Sequence, residues 1–322
     1  DQAITTYTPS GSSTTYVIGG ASDYRGFYGL LSGASGYYVS NNNGSSILRE
    51  GALPPLTGKA DDNGISFTAL SAGEPSLDTY KKDGTIYYTS LYQDFIGGTD
   101  TNVIGLAKSS PTNLTNTSLS DSSVWKVGKV RADSGSSSQF NDKPWVGVDN
   151  SGITSNIYVT WTVYNSSAGS AKIWISNCNP SLICKTTHND TNAVSGLQTN
   201  TQMSKVSVDS MGRVIVTWIE YNLTNPNPPY FSINLWYRVF ASGGLNPLTN
   251  PVLIKTLTKP VDGYNAIQGN TFGITENIWS EVGLAGNIPR LFVAYTECMG
   301  SYLYDIPSLP YADSCSNADT YI

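Results

Sequence analysis

Charge is scarce in this chain. Only 13% of its 322 residues are Asp, Glu, Lys or Arg, and 24 acids face 18 bases. A formal net charge of −6 excludes the basic stripe that a nucleic-acid partner requires. Long apolar runs are lacking as well. None approaches the roughly 18–20 residues of a membrane span, so no transmembrane segment is expected. No basic and apolar leader opens the sequence, and Asp1 is read as a mature N-terminus left by cleavage. No stretch shows a convincing amphipathic helical period.

Histidine is reduced to one, His188, beside Asn189 in a Thr/Asn stretch. A Ser-His-Asp arrangement would have to use it, and with no partner of suitable spacing a catalytic or ligand role is not expected. The four cysteines contain no Cys-x-x-Cys spacing, which speaks against zinc. They form two local couples, Cys178/Cys184 and Cys298/Cys315, and four cysteines leave three pairings open. No cofactor is expected, and a structural cation has no support.

What fills the chain instead is Ser, Thr, Asn, Gly and Tyr. Six Asn-x-Ser/Thr sequons occur, at Asn43, Asn113, Asn116, Asn165, Asn189 and Asn222. Sequons and an even cysteine count read as an extracellular or surface-displayed glycoprotein carrying N-linked glycans. Neutral hydrogen-bonding residues, abundant tyrosine and little lysine fit an archaeal cell-surface protein.

The length allows one large β domain or two smaller ones, and repetition decides between them. Asp142-Lys-Pro-Trp-Val-Gly-Val-Asp149, a Gly152 turn, then Asn156-Ile-Tyr-Val-Thr-Trp161 reads as strand, turn, strand. Ser204-Lys-Val-Ser-Val-Asp209, Gly212 and Arg213-Val-Ile-Val-Thr-Trp218 match it almost position for position. Glu74-Pro-Ser-Leu with Lys82 to Ser90 is a third copy. Ser280 to Leu284 with Arg290 to Tyr295 is a fourth, and Thr14 to Gly20 the second strand of a first. Steps between Gly20, Ser90, Trp161, Trp218 and Tyr295 are 70, 71, 57 and 77 residues. Two more strand-like runs follow most copies. Repeated four-stranded antiparallel units predict an all-β fold, a β-propeller, rather than paired β-sandwiches. Five blades are recognisable in one domain over 1–322, at about 3–58, 74–132, 142–196, 201–258 and 275–322, with a sixth left open. Either the protein is longer, or residues 3–8 help close the ring, or an open edge pairs with another subunit.

These blade starts resemble the sialidase-like (BNR-type) β-propeller superfamily. Ser40-Asn-Asn-Asn-Gly-Ser-Ser-Ile47 is similar to that family's Asp-box, between third and fourth strands, with Asn42 in place of the Asp and Ile47 in place of the Trp. For activity the resemblance implies three clamping arginines, a Tyr–Glu nucleophile couple and an Asp acid. No F-R-I-P-like strand is present. The arginines, Arg25, Arg49, Arg131, Arg213, Arg238 and Arg290, read as outward charges on blade faces.

Tyrosines and acids recur just after the second strands: Asp23, Tyr24 and Arg25, then Tyr92 and Asp94, Glu220 and Tyr221, and Glu297 near Tyr295. Such loops open on one propeller face, where these residues are candidates for binding a sugar or for glycoside chemistry. The blander reading is strand ends solvating a loop. Sequons at Asn165 and Asn222 would place glycans at the same mouth, which disfavours an enzyme. Asp83, Asp149 and Asp209 are read as turn formers. Cys178–Cys184 would staple a hairpin, and Cys298–Cys315 would pin a loop carrying Tyr302, Tyr304 and Tyr311. The leading expectation is a non-catalytic propeller for adhesion, for binding carbohydrate or a cell-surface protein, or for self-assembly. The alternatives are a divergent sialidase-like glycoside hydrolase and a subunit of a surface layer or filament. The Asp142–Trp145 cluster invites a catalytic reading, but its recurrence marks it as a blade-start module.

Overall fold

A computed structural model describes residues 2–22, 33–94, 98–188, 193–222, 232–243, 245–257, 279–285, 288–298, 302–304, 313–315 and 318–321. For 186–188, 285, 296–298 and everything beyond 300 the description is of backbone alone.

Short runs of Val, Ile, Tyr, Trp and Thr, broken by Gly-, Asn- and Asp-rich turns, fold as antiparallel sheets. The first blade is β1 (Gln2–Tyr7), β2 (Tyr16–Ser22), β3 (Ser35–Ser40) and β4 (Arg49–Ala52), paired in that order. Blade two has five strands: β5 (Leu56–Lys59), β6 (Ser66–Tyr80), β7 (Thr85–Gln93), β8 (Asn102–Ser109) and β9 (Lys126–Asp133). Blade three is β10 (Gln139–Val148), β11 (Ile157–Asn165), β12 (Ser170–Cys178) and β13 (Cys184–His188). Blade four is β14 (Thr201–Val208), β15 (Val214–Asn222), β16 (Ser232–Phe240) and β17 (Val252–Leu257). In the last sheet β18 (Trp279–Ala285) pairs with β19 (Ile288–Cys298), and β19 with the terminal strand β22 (Ala318–Tyr321). Between them β20 (Tyr302–Tyr304) and β21 (Asp313–Cys315) form a separate hairpin.

The architecture is a β-propeller. Its inner strands succeed one another around an axis: β1 beside β6, β6 beside β10, β10 beside β14, β14 beside β18. Residues 3–7 therefore lie in the first blade's own inner strand. The boundary between blades one and two falls after Ala52 rather than near 58, because β5 pairs with the start of the long β6. Among the described residues, helix occurs only in α1 (Pro111–Thr115) and α2 (Asp121–Val124), ahead of β9. Both are too short to show an apolar stripe. Val124 closes the second of these helices, and the last strand of the blade begins at Lys126.

Aspartates shape the first hairpin of several blades. Asp209 accepts N–H groups from Met211 and Arg213, and its own carbonyl accepts Gly212 N–H at 2.9 Å. Asp83 accepts Thr85 N–H at 2.8 Å. In blade three the connection is longer, residues 149–156, and Asp149 gathers Ser151 and Thr154 across it.

Apolar side chains of successive blades interleave into layers. Trp161 of β11 is fully buried among Tyr87, Ile104 and Leu106 of blade two. Trp218 of β15 is buried among Ile173, Ile175 and Val194 of blade three. The seams are also stitched by polar side chains. Ser76 and Asp78 accept the N–H groups of Val146 and Val148 at 3.2 and 2.7 Å. Asn150 returns the contact, accepting Lys81 N–H at 2.7 Å and donating to Thr79 O at 3.0 Å. Thr5–Thr79 and Thr217–Ser280 hydroxyl pairs, at 2.7 and 2.6 Å, serve neighbouring seams.

Cys178 and Cys184 are register partners on β12 and β13 and form a disulfide across a separation of six residues. By loop entropy such a short closure contributes about 2 kcal/mol. Replacing both by Ser is therefore expected to lower stability in guanidinium unfolding by about that amount while leaving the sheet CD spectrum intact. A change below about 0.5 kcal/mol would show that the bridge constrains nothing. The side chains of Cys298 and Cys315 lie outside the described residues. No helix of the described residues is long and apolar enough to cross a membrane.

Candidate axial binding site

Three consecutive inner strands break their ladders at the same place. Register shifts fall between Ser71 and Ser76 in β6, between Asp142 and Trp145 in β10, and between Gln202 and Lys205 in β14. Each break contains a non-glycine residue in the left-handed region: Glu74 at φ 56°, Lys143 at 51°, Met203 at 56°. A side chain there costs about 1–2 kcal/mol, and a bulge re-aims the residues it displaces. The local cause is legible in two cases. Pro75 and Pro144 follow Glu74 and Lys143, and proline has no N–H to give to a ladder. Blade one holds the first bulge in place: Ser35 Oγ accepts Gly73 N–H at 3.0 Å and Ser22 Oγ accepts Glu74 N–H at 3.3 Å.

Trp145 and Lys205, which follow the bulges of β10 and β14, meet Trp279 at the start of the unbroken strand β18. Trp145 and Trp279 come from β10 and β18, which flank β14 on opposite sides. Yet their rings meet edge to face with centroids 5.3 Å apart, so they converge in front of β14. Lys205 lies beneath them, its Nζ 3.3 Å from the Trp145 ring centroid and 5.4 Å from that of Trp279. Close approach of β14 to β10 is allowed by Gly147, where a Cβ would stand 2.6 Å from Val206 O.

Burial pushes the Lys205 amine down to about 7; nearby Glu74 opposes this and Lys143 adds to it. Two indole faces partly replace the lost hydration, since a ring face attracts an ammonium. Burial also holds the Glu74 carboxyl above its ordinary range; Lys143 and Lys205 pull it down, Asp142 pushes it up. Lys143 Nζ pairs with Asp142 at 3.0 Å, and both remain partly exposed, so the pair contributes little to stability. Trp279 is half exposed. Further along β6, burial raises Asp78 to about 6 against two backbone donors, Val148 and Thr79, with Glu281 reinforcing the rise.

This cluster offers an open indole face, an amine and a carboxyl whose titration burial shifts, and an ion pair. Such a set can stack a sugar ring, bond its hydroxyls, and move a proton. Among the described residues no group of three His, Cys, Asp or Glu side chains is arranged to hold a metal ion.

The residues singled out after the second strands lie elsewhere. Tyr92 and Asp94 are fully buried in blade two, where Asp94 accepts the Thr99 hydroxyl at 2.6 Å. Glu220 is engaged within blade four by Trp236 Nε1–H at 2.9 Å and Asn234 at 3.1 Å, and Tyr221 packs with Ile219 and Ile233. Asp23, Tyr24 and Arg25 lie outside the described residues, as do the side chains of Glu297 and His188 and the whole of Asn189. So do the side chains of Tyr302 and Tyr304, and Tyr311 entirely. Of the sequons, Asn43, Asn116 and Asn222 are exposed, and Asn113 and Asn165 partly so.

Arg290 is exposed, as an outward charge would be, but four other arginines are tied down. Arg49 is nearly covered, bonded to Tyr37, Asp121 and two carbonyls, and Arg131 lies under Trp174, forked onto buried Asp133. Arg213 holds Asp209, and Arg238 caps carbonyls of blade three and of its own blade. None of the described arginines lies on an inner strand. In the turn after β3, Asn42 Oδ1 accepts Ser46 N–H at 3.0 Å, and Ile47 is exposed.

Glu74, Asp142, Lys143, Trp145, Lys205 and Trp279 escaped the sequence reading as a site. Its available signal was a charged residue before proline at one repeat position in two successive blades.

No protein-family model matches the chain, and no curated protein matches it. Solved structures do. An α-L-arabinanase of Penicillium chrysogenum complexed with arabinobiose is 11% identical over 91% of this chain and 73% of that one, with a TM-score of 0.50. An N-acetylgalactosamine deacetylase from F. plautii bound to blood group B trisaccharide is 9% identical, covering 99% and 86%, at 0.45. A putative glycoside hydrolase of Bacteroides ovatus is 12% identical, covering 91% and 82%, at 0.42. At these identities the likeness, carried by the arabinanase alone, is one of fold: this chain shares the β-propeller.

Proposed function

We propose that this protein is an extracellular carbohydrate-binding propeller, N-glycosylated at its exposed sequons, whose ligand enters the axial mouth and stacks on Trp279. One observation carries the reading: bulges in β6, β10 and β14 gather Glu74, the Asp142–Lys143 pair, Trp145 and Lys205 near one another, and Trp279 of β18 closes over Lys205. An apolar sugar face suits the open ring, and neighbouring charges of both signs suit hydroxyl groups as donors and acceptors. Arabinobiose in the arabinanase is reason to include that disaccharide among the probes.

A second reading is hydrolysis, favoured by the raised Glu74 carboxyl beside the Asp142 carboxylate. Glycoside chemistry uses two such acids in complementary roles. The sialidase-like version has less support, because the described arginines serve separate blades rather than one clamp.

The test is a glycan panel that includes arabinobiose, scored for binding and for hydrolysis. Trp279→Ala is expected to weaken binding about tenfold, or about 1.4 kcal/mol. Glu74→Gln is expected to leave binding within about threefold, and any turnover it abolishes would move the protein to the hydrolase reading. Binding indifferent to both changes, or absent from the panel, removes the axial site.

A further inference from the structure

We propose a second carbohydrate site, away from the axis, in the saddle over the loop end of blade three. Here a cavity of about 500 Å³ opens between the 99–102 and 134–138 segments of blade two, the ends of β10 and β11, and Asn200 of blade four. That volume suits one or two sugar units. Most of its lining residues carry hydroxyl or amide groups, among them Ser138, Asn165 and Asn200, and Asp100 is the one carboxylic acid. Set among these is Phe140, 46% exposed, with its ring centroid 6.5 Å from that of Tyr164 and tilted 42° to it. An exposed aromatic pair ringed by neutral hydrogen-bonding groups selects an uncharged, polyhydroxylated ligand. The ring packs against C–H groups, while amides and hydroxyls meet the hydroxyls.

The floor is rigid. Asn141 N–H donates to Asn102 Oδ1 at 2.7 Å and its Nδ2 to Asp133 Oδ2 at 2.8 Å, while Trp161 Nε1–H donates to Asn141 Oδ1 at 2.8 Å. All four residues are buried, and Asn102 reaches the cavity wall. A site on such a floor is pre-formed, so little ordering opposes binding.

Two sources share this ligand chemistry. Asn165 begins the sequon Asn165-Ser166-Ser167, so a glycan attached there would start inside the cavity; a soluble sugar would enter from outside. The experiment is calorimetric titration of Asn165→Gln protein with N,N′-diacetylchitobiose and arabinobiose. At least one disaccharide is expected to bind, about tenfold more weakly in added Phe140→Ala, with affinity restored by Phe140→Tyr and unchanged by Trp279→Ala. Glycosylated wild type that no longer takes up the sugar identifies the protein's own glycan as occupant; equal uptake identifies an external one. The proposal is overturned if neither disaccharide binds, or if Phe140→Ala leaves affinity intact. Loss with Trp279→Ala alone would preserve the axial site and remove this one.

Discussion

Lys205→Met is expected to make the protein more stable at pH 7, by about 2–4 kcal/mol, with the advantage vanishing as pH rises. The sign follows from proton binding. The folded amine titrates at about 7 and the unfolded one at its ordinary 10.5. Between those values the unfolded chain holds a proton that the folded chain lacks, so stability climbs with pH, by up to about 1.4 kcal/mol per unit. Below pH 7 both states are charged, and the whole cost of burying the ammonium is present. Methionine keeps the chain length and its contact with the two indoles while removing that charge. The acids act in the opposite sense and in another window. Asp78, raised to about 6 from 3.8, contributes stability that is complete below 3.8 and lost as pH rises through 6. Wild-type stability should therefore dip near neutrality. Guanidinium unfolding at pH 7, 8 and 9 for both proteins is the measurement, and parallel profiles would disprove the buried charge. A stabilising deletion at this position also indicates that the lysine is kept for something other than folding.

Trp161→Ala is the second large effect, a loss of about 3–5 kcal/mol for the truncation alone. The indole is fully buried between blades two and three, tilted against Trp174 at 6.1 Å. Its Nε1–H is also the donor to Asn141, whose amide ties Asn102 to Asp133 and so to Arg131. Removing the indole leaves a buried carbonyl oxygen unmatched, adding about 1–3 kcal/mol. Trp161→Phe separates the two costs by retaining most of the volume. We expect it to lose about 2 kcal/mol and Trp161→Ala not to reach a cooperative native state. Thermal unfolding of both variants decides; a loss under 1 kcal/mol for the alanine variant would mean the blades do not depend on this contact.

How far the sequence could be read depended on distance along the chain. Turn chemistry is local: Asp209 accepts Gly212 N–H as their spacing implies, and Asp83, beside Gly84, accepts Thr85 N–H. The Trp161 and Trp218 positions repeat, so their burial between blades followed from the repeat. The axial mouth is not local. Lys205 sits in an alternating run that reads as a solvated face, and nothing near it names Trp145 or Trp279 as neighbours. Only the curvature of the ring brings β18 round to meet β10. Recurrence also misled. Because Asp142-Lys-Pro-Trp recurs in outline as Glu74-Pro and Ser204-Lys, it reads as architecture alone, whereas the repeated element is the bulge that re-aims a different residue in each blade. Arg49 and Arg131 failed for a related reason: their partners Asp121 and Asp133 lie on other segments or are themselves buried.

The stitching between blades two and three bears on assembly during synthesis. The hydroxyl of Ser76 and the carboxylate of Asp78, which receive Val146 and Val148, leave the ribosome about 70 residues ahead of those amides. A finished blade therefore stands ready as a template, and each emerging inner strand finds acceptors already positioned. Strand order within a blade is settled by short hairpins, fast to close; the joins between blades are distant in sequence and slow. Growth from the N-terminus turns that slow search into stepwise addition. Refolding of the whole chain from denaturant lacks this order and must find every join at once.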